Sequence, residues 1–163
     1  MERRVIAGAV AGAVAALVAG AAILTTATQA PVLPTSPDPR ITPGKIDPAL
    51  TAQVICGKGW STTTVRAVNT AEKRAVARAY GLDYDAIRSE VEFDHLISLE
   101  LGGANDPANL WPQTYTGPLN AHMKDRLENR LHAEVCSGQI SLQAAQSEIS
   151  TDWVAAFRKR FGN

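Results

Sequence analysis

The sequence predicts an α+β fold that is mainly helical and carries one small hairpin. Three observations lead there. Apolar residues recur every four positions through Leu119, Met123, Leu127, Leu131 and Val135, with Lys124, Asp125, Arg126, Glu128 and Arg130 on the other faces. A second apolar side runs through Leu142, Ala145, Ile149, Trp153 and Phe157. Ahead of both, two extended runs flank a cluster of turn residues, Gly102-Gly103-Ala104-Asn105-Asp106-Pro107.

In chain order, the first element is a targeting segment. Met1-Glu2-Arg3-Arg4 precedes an uncharged run from Val5 to Leu24, rich in Ala, Val and Gly. Two readings of residues 1–30 stay open. As a signal peptide the segment would be cut after small residues, at Thr25 and Ala27 or at Thr28 and Ala30. Its length instead approaches the roughly 20 apolar residues of a spanning helix, against about 7 to 15 in a signal peptide, which makes it an N-terminal membrane anchor. Either way the rest of the chain is expected outside the cytosol: periplasmic, secreted or tethered to the membrane. Residues 31–48 hold Pro31, Pro34, Pro37, Pro39, Pro43 and Pro48 among Ser, Thr and Asp, the composition of a semi-extended linker. The folded domain is therefore expected over residues 49–163.

Within that domain Thr62 to Val68 is β-branched and reads as a short strand or extended segment. Asn69-Thr70-Ala71-Glu72 has the spacing of a capping box, so a short helix should start there and stop at Gly81. Val91 to Leu101 is strand-like, and Asn109-Leu110-Trp111-Pro112-Gln113 resumes an extended course after the turn cluster. The first of the two long helices should end at Gly138; the last should run from Leu142 to about Phe161, with a break at Ser150-Thr151.

Lys and Arg together number 16, as do Asp and Glu, so the chain as a whole offers no attraction to a polyanion. Any nucleic-acid contact must come from a local patch. Cys56 and Cys136 are an even count in an exported chain, which a disulfide requires; two buried free thiols are the other reading.

The segment that carries chemistry is Asp94-His95 at the end of the first extended run. A carboxylate and a neutral imidazole can divide the work of phosphodiester hydrolysis, one holding a hard cation and the other taking a proton from water. Adjacent strand residues point to opposite faces, so both reach one phosphate only at a strand end or bulge.

Asp94-His95, Gly102-Gly103, Asp106, Asn109-Leu110 and a downstream His122 together resemble the signature of the HNH endonucleases. The longer string, from Ile55-Cys56 through Leu96-Ile97-Ser98-Leu99-Glu100-Leu101 and Trp111-Pro112-Gln113 to Lys124-Asp125, is similar to small exported bacterial proteins of that superfamily. The resemblance implies a ββα-metal hairpin (strand, long turn, strand, helix) packed with additional α-helices. It makes His95 the general base and Asp94 a metal ligand. Asn109 would brace the hairpin and help orient His95, and His122, with Asn120 as its rival, would be the second metal ligand. The ion is divalent: Mg, Mn or Zn. Many members hold the hairpin with a zinc on two Cys-x-x-Cys pairs, which this chain lacks, so Phe93, Leu96, Leu99, Leu110, Trp111 and Leu127 must hold it by packing.

The function so implied is an exported, metal-dependent, largely sequence-nonspecific endonuclease, acting as a monomer on DNA, with RNA as the other substrate. Lys124, Arg126 and Arg130 would meet flanking phosphates. A protective immunity or inhibitor protein is an expected partner, and the membrane is one only if the N-terminal segment is retained. The opposing expectation is an inactive module that keeps the fold to bind or to build.

Overall fold

A computed structural model of the chain describes residues 30–162; the segment read as signal peptide or anchor falls, but for Ala30, outside the described residues. These form an α+β structure, mainly helical, with one two-stranded antiparallel sheet. The elements are α1 (Ala52–Ile55), α2 (Thr70–Ala79), α3 (Tyr84–Ile87), β1 (Val91–His95), β2 (Leu110–Thr114), α4 (Ala121–Cys136) and α5 (Leu142–Phe161). Among the described residues no helix is long and apolar enough to cross a membrane.

Local chemistry explains most boundaries. Asn69 and Glu72 form the reciprocal capping box, Asn69 accepting from the Glu72 amide and Glu72 from the Asn69 amide. α5 breaks at Asp152, just past the expected Ser150-Thr151. Its φ of −160° and ψ of 90° are non-helical, and its carboxylate accepts from the Ala155 amide at 2.9 Å, recapping the second half. Thr62 to Val68 is not a strand. Ser61 caps a single 3₁₀ turn over Thr62–Thr64, and the Thr64 hydroxyl donates back to the Ser61 carbonyl at 2.7 Å. Local hydroxyl-to-backbone bonds have outcompeted the β preference of the threonines.

The Pro-rich segment also departs from its reading as a linker. Thr42 is fully buried and donates to the Leu110 carbonyl of β2 at 2.8 Å. The Gly44 amide donates to the Ala108 carbonyl, the Asp47 amide to the Gly102 carbonyl, and Ile46 bridges Gly103. Lys45 pairs with Asp106. The domain therefore takes in this segment as an outer strap of the hairpin, because backbone polar groups that find partners outweigh proline's extended bias.

The register Glu92↔Gln113, Phe93↔Pro112, Asp94↔Trp111, His95↔Leu110 sorts β1 by face. Val91, Phe93 and Leu110 join a core with Val76, Ala77 and Ile87 of α2 and α3. The opposite face, with Asp94, turns toward α4. A larger core joins α1, α4 and α5 through Ile55, Leu127, Leu131, Ile149, Trp153 and Phe157. Arg160, nearly buried, clamps α5 to α4 by pairing with Glu134 at 2.8 Å and Glu148 at 2.9 Å. Hydrogen bonds from that guanidinium hold the Glu148 carboxyl down to about 2. Cys56, just after α1, is disulfide-bonded to Cys136 at the end of α4.

Candidate active site at the end of the first strand

Asn109 organises the connection between the strands. Fully buried, it accepts from the Ile97 amide at 2.9 Å and the Lys45 amide at 3.3 Å, and donates to the Ile97 carbonyl at 2.9 Å and the Ala104 carbonyl at 3.0 Å. All four hydrogen-bonding positions of the amide are filled. The paired glycines permit this closure. Gly102 ends the 3₁₀ turn Leu99–Leu101 at φ +73°, and any Cβ on Gly103 would collide with the Ile97 carbonyl.

His95 is not oriented by Asn109, as the sequence suggested, but by Asn105. The Asn105 amide nitrogen donates to the Val65 carbonyl at 2.6 Å and its oxygen accepts from the Ala67 amide at 3.3 Å. That fixes which end of the amide faces the histidine. The oxygen lies 3.1 Å from His95 Nε2, so Nε2 carries the proton and donates, leaving the Nδ1 lone pair free. Burial pushes the imidazole down to about 4, against the raising effects of the Asp94 charge and the Asn105 bond. His95 is thus neutral at physiological pH with one defined tautomer. Asn105 was legible only as turn chemistry, because its partners lie 38 and 40 residues earlier.

Asp94 faces a different environment. Lys124, fully buried, places its ammonium 2.7 Å from Asp94 Oδ2 and 2.7 Å from the His95 carbonyl, and pairs with Glu128. Burial alone would lower this lysine, but Asp94 and Glu128 outweigh it and hold the ammonium above its usual range. One ammonium serves two carboxylates, and burial, with Asp94's negative charge, pushes the Glu128 carboxyl up against the lowering effect of Lys124. Glu92 and Asp125 are raised by burial first and then by Asp94's charge, a mark of carboxylates drawn together.

The sequence reading of Lys124, Arg126 and Arg130 as phosphate contacts needs correction. Lys124 is sealed beneath the strand end. Arg126 lies over the Phe157 and Phe161 rings, at 5.4 and 4.8 Å, and Arg130 pairs with Glu134 at 2.7 Å. Arg126 thus turns toward α5, and Arg130 is paired along α4 itself.

The metal ligands expected from the resemblance do not assemble either. Oxygen donors near Asp94 are of the kind a hard divalent cation takes. Yet Asp94 Oδ2 holds Lys124, and Asn120 uses both ends of its amide to cap α4, accepting from Met123 and donating to Gly117. His122 is exposed, stacks on Tyr115 at 5.8 Å and keeps Nδ1 3.7 Å from Asp125. Among the described residues, the group of three or more His, Cys, Asp or Glu ligand atoms within 4.8 Å of one another is Cys56, His132 and Cys136. That group could hold a metal ion once reduced to thiolates; with the sulfurs joined, the imidazole is the donor that remains.

A cleft of about 220 Å³ opens where β1 meets the segments before it, lined among others by Arg66, Lys73, Arg88, Glu92, His95 and Tyr115. No protein-family model, no curated protein and no solved structure matches the chain.

Proposed function

We propose that this protein is an exported endonuclease of the HNH type, hydrolysing the phosphodiester bonds of DNA, with RNA as the other substrate. The reading is carried by one observation: at the end of β1 a neutral imidazole of defined tautomer lines an open cleft, its Nδ1 unclaimed. In the ββα-metal arrangement that β1, the long connection, β2 and α4 would form, His95 accepts a proton from the attacking water at Nδ1. Asn105 keeps the ring from turning, and Lys124 holds the strand end through the His95 carbonyl. General-base action of this kind contributes about 10² to 10⁴ in rate. The disulfide between Cys56 and Cys136 supports export, since such bonds persist in oxidising compartments.

One observation favours a second reading, a binding module without catalysis: Lys124 already neutralises the carboxylate that the HNH pattern assigns to a metal. Plasmid and RNA cleavage by the oxidised chain separates the two. The assay is run with Mg²⁺, Mn²⁺ or Zn²⁺ and with chelator, beside His95→Ala. Cleavage that His95→Ala abolishes is the expected result; a folded, oxidised protein that cuts neither substrate under any condition establishes the binding module instead.

A further inference from the structure

The chain's neutral charge requires a local patch if it is to hold a polyanion, and α4 does not supply one. Most cations near carboxylates are engaged. Arg74 pairs with Asp85 at 2.6 Å, Arg130 with Glu134 at 2.7 Å, Lys159 with Glu148 at 2.9 Å, and Arg160 with two glutamates. The cleft at His95 differs. Among the described residues Arg66 and Lys73 make no ion pair, and the carboxylate paired with Arg88, Asp85, stands 4.0 Å away.

These cations come from three elements. Arg66 follows the 3₁₀ turn at Thr62–Thr64, Lys73 lies in the first turn of α2, and Arg88 caps the end of α3. Arg66 and Lys73 without an ion pair, and Arg88 held only at 4.0 Å by an aspartate that Arg74 already engages, line one cleft from separate segments and repel one another, and Glu92 is the carboxylate of that lining. An anion relieves that repulsion. The backbone of Arg66 is also held in register with the imidazole, because Asn105 grips Val65 and Ala67 on either side of it and His95 with the same amide.

We propose that Arg66, Lys73 and Arg88 form the phosphate-binding cleft for a polynucleotide strand and lead its backbone to His95. The role of His95 rests on the nuclease reading; the binding does not. A phosphodiester seated there brings its negative charge against the guanidinium of Arg66, which stabilises the charge that grows as water attacks.

The test measures binding of a fluorescently labelled DNA duplex by anisotropy at several salt concentrations, with the oxidised full chain carrying His95→Ala so that nothing is cut. Each of Arg66→Ala, Lys73→Ala and Arg88→Ala should weaken binding and flatten the log–log salt slope by about 0.9. Glu92→Gln should tighten binding, while Arg126→Ala and Lys159→Ala should leave the slope unchanged. A folded triple variant that binds with the parent's slope overturns the cleft, as does a folded parent that binds no DNA at low salt. Cleavage by the native chain with an unchanged triple variant refutes the cleft alone; loss of slope without cleavage in the native chain supports the cleft and refutes the nuclease reading.

Discussion

Asp94 and His95 are neighbours in sequence and opposites in surroundings. The side chain of Asp94 turns under α4, where it pairs with a fully buried ammonium that Glu128 shares. That of His95 lines a cleft edged by Arg66 and Lys73, which make no ion pair among the described residues, and is held by one amide. Pleating alone separates them, and everything else follows from what each face packs against. The α4 side is closed around one buried ammonium that two carboxylates share, a place for structural work. The cleft side keeps Arg66 and Lys73 without a carboxylate partner among the described residues, and unpaired charge is what a ligand can use.

The largest effect that would break this contrast belongs to His95. His95→Ala should lower cleavage by about 10² to 10⁴ while costing the fold only the roughly 1–3 kcal/mol of one buried, hydrogen-bonded side chain, measured by single-turnover assays and calorimetry. Equal losses of activity and fold would place His95 among the packing residues.

On the α4 side the expectation is reversed. Lys124→Met strands Asp94 and Glu128 without their cation and should destabilise the fold by roughly 3–5 kcal/mol in urea titration. Adding Asp94→Asn should recover part of that loss, since one of the two carboxylates left without a cation is then neutral. An additive double variant would show that the pair is not coupled.

The pH profile sharpens the comparison next. His95 must be neutral to accept a proton, and burial holds it down to about 4. The acid limb of kcat/KM should therefore fall near pH 4 rather than near 6.5. The stability counterpart has the opposite cost. As pH drops from 6.5 toward 4 the unfolded chain binds the proton first, so this group favours unfolding across that window. A limb near 6.5 would contradict a buried imidazole.

The smallest effect expected is that of Asn105→Ala. The bond that orients His95 is worth about 1 kcal/mol and those to Val65 and Ala67 go with it, so cleavage should drop by on the order of tenfold or somewhat more, and both His95 tautomers should appear in nitrogen NMR shifts.

How much of this was legible in the sequence depended on range. The Asn69 capping box, the helices ahead of Gly138 and from Leu142, and the break in α5 are local in cause, and local patterns expose them. α1 and α3 span four residues each, too short to show a period. Lys124 was misread although a signal existed. It stands three residues before Leu127 and seven before Leu131, on the buried side of α4. A lysine within an apolar stripe points to a buried carboxylate partner. Asn105 and the strap around Thr42 offered no such signal, because both depend on partners that only the folded chain brings near.

The disulfide has a topological consequence. Its sulfurs join residues 80 positions apart, and β1, β2, the cleft cations and Lys124 all lie between them. A protease that cuts once anywhere inside that covalent ring frees neither half. The nicked molecule would run as a single species on a denaturing gel and divide into two only when a reductant is added, so accidental breakage of a loop need not separate the strand bearing His95 from the helix beneath it.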